Sequence, residues 1–152
     1  RDSDQGAYSI RPRGLRPHYG PIVYLQPLTP ENLAAVGFDM YSEPVRQAAM
    51  RAAMESGQVR LTGRVRLVQD GAKDVPGMLM YIPVYQGVQT PSTVAARRQS
   101  MKGWVYVPFR FEHMVRAAIE PARDTMRMRI VDITEARQVV LYEDAGIDAL
   151  HS

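Results

Sequence analysis

The spacing of apolar residues changes several times along the chain, and each change marks an element. Residues 1–20 are rich in Pro, Gly and Arg, with one short extended stretch at Tyr8-Ser9-Ile10. After Gly20-Pro21, the unbroken run Ile22-Val23-Tyr24-Leu25 has the composition of a buried strand. Thr29 followed by Pro30 predicts a helix start, since Thr caps well and Pro suits the first helical position. Gly37 keeps that helix short, and Val36 through Met40 predicts a second strand. Beyond Ser42-Glu43-Pro44, the residues Val45, Ala49, Ala52 and Ala53 recur at helical spacing and predict the longest helix, closed by Gly57. Residues 60–68 alternate as a strand does, with a bulge predicted at Gly63. A turn over Gly71, Lys73 and Asp74 leads into Gly77–Tyr85, the most apolar strand. Residues 86–100 read as a surface loop. Trp104–Phe111 reads as a further strand, in which Pro108 favours an edge or a bulge. Glu112–Glu120 predicts a helix with Met114, Val115 and Ala118 on one side. Thr125–Val131 and Gln138–Tyr142 predict a closing hairpin that turns near Thr134-Glu135.

The predicted order is strand, short helix, strand, long helix, three strands, a helix and a hairpin. Strands that follow one another through tight turns pair antiparallel. The expected class is therefore α+β, a PAS-like antiparallel sheet with flanking helices. No repeat at a fixed period and no low-complexity block interrupts it.

Composition narrows the picture. The 152 residues suit one domain, or one domain with a fragment of a second, and 45% hydrophobic residues allow a real core. No apolar run reaches the roughly 18 residues that a spanning helix needs. The opening RDSDQGAYS has no signal pattern and starts at Arg1, as expected of a segment excised from a longer chain. With no cysteine, disulfides, thiolate metal sites and cysteine nucleophiles are excluded. The net charge is +3, and all but Lys73 and Lys102 of the 19 basic residues are arginine. The arginines are scattered from Arg1 to Arg137 without interleaved aromatics, so no nucleic-acid partner is expected.

The chemistry points to binding more than to catalysis. There is no phosphate-cradling loop, no dinucleotide glycine pattern and no GxSxG elbow. His18, His113 and His151 share no metal-ligand spacing, so neither metal nor cofactor is expected. Asp39 and Glu43 are equally a carboxylate pair or a strand end and a helix-start charge. Arg46 flanks the apolar face of the long helix, four residues before Met50. It serves either as a clamp for an anion or as a salt-bridge partner of Glu43 or Asp39. Thr62 is either an ordinary strand threonine or a hydroxyl at a pocket wall. Tyr81, Trp104 and Tyr106 each carry a flat face and a polar tip that suit a ligand or a core.

Four blocks carry a resemblance. GFDMYSEPVRQAAMRAAMESG at 37–57, LTGRVRLVQ, GMLMYIPVY and KGWVYVPFRFEHMV occur in that order, preceded by YGPIVYLQPLTPENLAAVGFD. Together they resemble the CHASE domain, the extracytoplasmic sensor of histidine kinases and nucleotide cyclases. The resemblance runs over roughly residues 8–115 and is looser beyond. It implies a membrane-distal, PAS-like ligand-binding part at 1–115 and a smaller membrane-proximal portion at 116–152. It also implies a periplasmic or otherwise extracytoplasmic location and a homodimeric, membrane-anchored parent with a kinase or diguanylate cyclase output. At the position of Arg46, the plant cytokinin receptors of the family place an aspartate that accepts hydrogen bonds from adenine. Arginine donates only, so the implied ligand here is a small organic anion. Thr62 matches a family threonine, and Tyr81 stands where a ligand-facing threonine is expected. The candidate ligand-contacting set is Arg46, Met50, Thr62, Val68, Met80, Tyr81, Trp104 and Tyr106. The competing functions are a structural dimerisation module and a small enzyme that uses Arg46 as an anion clamp.

Overall fold

The computed structural model describes residues 8–67, 76–122, 126–133 and 138–144. Val68, the turn over Gly71, Lys73 and Asp74, and the hairpin turn near Thr134-Glu135 lie outside the described residues.

Helix α1, Pro30–Ala35, begins where the Thr29 side chain accepts the Asn32 amide and Pro30 takes the first helical position. Helix α2, Pro44–Ser56, is capped by Glu43, whose carboxylate accepts the amides of Val45 and Arg46, each at 3.0 Å. It ends at Gly57, which holds a left-handed φ of +71° that a side-chain-bearing residue would resist. The buried stripe of α2 is Arg46, Ala49, Met50 and Ala53. Val45, expected to face inward, is instead exposed. The inward face is thus turned about one position from the purely apolar reading. An arginine stem is long enough to be buried, and the Arg46 guanidinium lies 5.4 Å from the centre of the Phe38 ring.

Strands β1, Arg60–Leu61, and β2, Val65–Arg66, both pair antiparallel with β3, Pro76–Tyr85. The expected continuous strand over 60–68 is broken around Gly63, where three residues of the outer strands face two of β3. Thr62 spans the break. Its amide donates to the Leu79 carbonyl and its hydroxyl accepts the Leu79 amide, both at 2.9 Å. The fully extended ladder is that of β3 with β4, Met101–Arg110, and β4 is a sheet edge, as Pro108 requires.

Three expectations are corrected. The presumed loop over 86–100 contains helix α3, Val94–Ser100, capped by Thr93. None of its residues is buried, so it carries no apolar stripe to read. The runs 22–25 and 36–40 are not regular strands. They touch through an isolated bridge between Pro21 and Asp39 and through hydrogen bonds of Ile22 with Gly37 and Phe38. Here Gly37 has a φ of +86°, and any Cβ would collide with the Ser9 carbonyl.

Behind the sheet come helix α4, Phe111–Ile119, and an antiparallel hairpin of β5, Arg129–Asp132, with β6, Val139–Glu143. The α+β class with antiparallel sheets is borne out. The boundary expected at 115/116 falls inside α4, whose Val115 and Ile119 pack with Met78 and with hairpin residues Ile130, Leu141 and Tyr142. The main core lies on the other sheet face, where Leu79 and Tyr81 meet Ala49, Met50 and Ala53 of α2 together with Ile22, Leu25 and Met40.

Candidate functional site

On that inner face a cleft of about 620 Å³ opens between β4 and the segment Tyr19–Gln26. Strand β4 contributes every residue from Lys102 to Pro108, and Met40, Met50 and Tyr81 close the inner end. Of the expected set, Met50, Tyr81, Trp104 and Tyr106 line this cleft. Trp104 is oriented by its indole N–H, which donates to the Met50 carbonyl at 2.9 Å. Tyr81 and Tyr106 are cross-strand partners with ring centres 6.2 Å apart.

The other expected residues do different work. Thr62 is 3% exposed and its hydroxyl is spent on the β3 ladder. Met80 neighbours Tyr81 on a pleated strand, so its side chain leaves the opposite face of the sheet. Arg46 is 5% exposed and stands behind the cleft wall rather than in it. One terminal nitrogen contacts Glu43 at 3.3 Å, and the other donates to the Arg66 carbonyl at 2.5 Å. Of the two salt-bridge partners considered for it, Glu43 is the one found.

Asp39 belongs to a second clamp. Wholly buried, it pairs with Arg16 at 2.9 Å and accepts the amides of Gly20 at 2.8 Å and Tyr41 at 3.1 Å. That network fixes residues 16–20, where the wall of the cleft begins, to the start of the short 3₁₀ turn Met40–Ser42. Asp39 and Glu43 therefore act as a clamp and a helix cap, not as a pair of free carboxylates.

Among the described residues, the buried polar atoms without a hydrogen-bond partner include the Tyr81 and Tyr106 hydroxyls and Arg46 Nε. Burial pushes the Tyr81 hydroxyl well above the usual phenol range, although the Arg46 charge pulls the other way. For the same two reasons, in the same order, Tyr106 is pushed up to about 12. Both hydroxyls are thus neutral at physiological pH. They are hydrogen-bond donors rather than nucleophiles or bases. Among the described residues no cluster of His, Asp and Glu could hold a metal ion. Tyr81 and Tyr106 thus bring two unpaired donors to the wall of the cleft, whose described lining holds no His, Asp or Glu.

The family model of the CHASE domain matches residues 1–142 of the chain. The chain belongs to the CHASE domain family. CHASE domains are extracellular sensor domains of signalling receptors and are sensory rather than catalytic. Comparison with curated proteins finds no match. No helix among the described residues is long and apolar enough to cross a membrane.

Part of the cleft escapes sequence reasoning. Tyr19 and Pro21 line the cleft because Asp39 holds Gly20, between them, against the sheet, and Lys102 comes to it along β4. The Gly20-Pro21 pair marks a turn in the sequence but not the wall it builds.

Proposed function

We propose that this CHASE domain senses a small organic anion in the cleft between β4 and Tyr19–Gln26. In this reading it forms the extracytoplasmic segment of a membrane-anchored, homodimeric receptor whose output is a histidine kinase or a diguanylate cyclase. The observation that carries the binding claim is the pair of buried tyrosine hydroxyls without partners beside an open cleft. An unsatisfied buried hydroxyl costs roughly 1–3 kcal/mol. A bound carboxylate oxygen would recover that cost and would sit in the field of the Arg46 guanidinium. A purely structural dimerisation module accounts for neither the cleft nor the orphaned donors.

Signalling then requires two arrangements of the cleft wall with different affinities. The hinge in this reading is the Asp39 clamp, because it couples residues 16–20 to the start of α2. Calorimetric titration of the chain with a panel of carboxylates and neutral purines tests the ligand class. Carboxylate binding supports the reading, and binding of neutral purines alone contradicts it.

A further inference from the structure

A second cleft, of about 720 Å³, adjoins the first. The two share Tyr19, Lys102, Gly103 and Trp104. Its other walls come from the C-terminal half of α2, from α3 and from the segment around His18.

The charge of this cleft is unlike that of its neighbour. The first cleft has Lys102 as its sole charged lining residue among those described. The second adds Arg51 and Arg98, set against a single carboxylate, Glu55. Arg98 is bound to Glu55 at 2.7 Å. Neither Arg51 nor Lys102 makes an ion pair or a side-chain hydrogen bond among the described residues. Two uncompensated cations therefore face one concavity. Like charges held together repel, and a low-dielectric wall such as Tyr41 and Trp104 strengthens the field between them. The fold sets their backbone positions. Arg51 rides on α2, Lys102 on β4, and Arg97 ties α3 to α2 through the Glu55 carbonyl at 2.7 Å.

We infer that this second cleft is a binding site for a small dianion, the chemistry shared by a phosphate monoester and a dicarboxylate. Arg51 and Lys102 neutralise its two charges. The outward N–H groups of Arg98, held in place by Glu55, add directional donors, and a guanidinium fork matches either oxyanion. The two clefts share Lys102, but substitution tells them apart, since Arg51 lines only the second cleft and Tyr81 only the first.

Calorimetric titration of the 152-residue chain with phenyl phosphate and with succinate at low salt tests this. The expected result is binding of at least one of them through Arg51 that weakens as salt rises. Arg51→Gln and Lys102→Gln should each weaken it about tenfold, the loss of one charge-assisted contact. Tyr81→Phe should leave it unchanged, and an unaltered melting temperature shows that Arg51→Gln remains folded. Affinity untouched by Arg51→Gln overturns the inference, as does affinity lost in Tyr81→Phe, which would place the anion in the first cleft. Binding to anionic lipid vesicles with no binding of either soluble anion also overturns it, in favour of a membrane surface.

Discussion

On one face of the four-stranded sheet, Leu79, Tyr81 and Tyr85 of β3 press against α2, with Asp39, Arg46 and Thr62 buried among them. On the other face, Met78 meets Val115 and Ile119 of α4 and the β5–β6 hairpin, and the cluster there is apolar apart from the Tyr142 hydroxyl. The inner face is larger and chemically mixed, and mixture has a cost. A buried polar group destabilises the fold unless it is hydrogen-bonded. Asp39 and Thr62 meet that condition with protein partners, whereas Tyr81 and Tyr106 do not. The outer layer is explained by stability alone. The inner one carries donors that stability does not explain, and they border a cleft.

The largest expected effect comes from the inner clamp. Asp39→Ala strips Arg16 and two backbone amides of their acceptor, and breaking a buried pair of this kind costs about 3–5 kcal/mol. Thermal unfolding should shift down by roughly 10 °C, at about 2–4 °C per kcal/mol for a chain of this size. A shift of only a degree or two would mean that residues 16–20 are not held through Asp39.

Next in size is the apolar contrast. Leu79→Ala in the inner core should cost about 3 kcal/mol, and Ile119→Ala in the smaller outer cluster about 2 kcal/mol, because the thinner layer relaxes more easily into the space left. Hydrogen exchange sharpens the comparison. Ile119→Ala should speed exchange in β5 and β6 while leaving the β3–β4 ladder protected. Equal acceleration in both sheets would show that the two layers unfold as one.

The sequence predicts the helices and the central ladder wherever local chemistry speaks. Thr29-Pro30, Glu43-Pro44 and Gly57 state their helix ends through capping, and the apolar run 77–85 states its strand. Helix α3 is silent because it buries nothing. The runs 22–25 and 36–40 look like strands because Ile22, Leu25 and Met40 are core residues, yet tertiary bonds at Gly37 and Asp39 bend them out of a ladder. At the site, aromatic type and spacing single out Tyr81, Trp104 and Tyr106. The role of Arg46 turns on which acceptors it finds, and the Arg66 carbonyl, 20 residues away, is not readable from spacing. The cleft wall at Tyr19–Gln26 depends on the same kind of long-range bond.

A smaller effect separates the two faces by pH. The folded-state pKa of Tyr106 is raised to about 12, and that of Tyr81 is raised further by its deeper burial. Unfolded tyrosines titrate near 10. Above that pH the unfolded chain releases protons that the native one keeps, so the contribution of both groups to stability is full below about pH 10 and is lost as pH rises toward the folded values. Alkaline difference spectroscopy on the native protein should show Tyr81 and Tyr106 failing to ionise near pH 11, and one fewer silent group in Tyr106→Phe. Normal titration of all eight tyrosines would contradict the burial of these hydroxyls.

The most direct test of the central claim compares stability and binding in Tyr81→Phe/Tyr106→Phe. Removing two hydroxyls that have no partner should leave the melting temperature unchanged or slightly raised. Affinity for the best carboxylate of the panel should fall by about tenfold or more, the loss of donors to a charged acceptor. Unchanged affinity, or a fall in melting temperature like that of a core cavity, would show that these hydroxyls serve the fold and not a ligand.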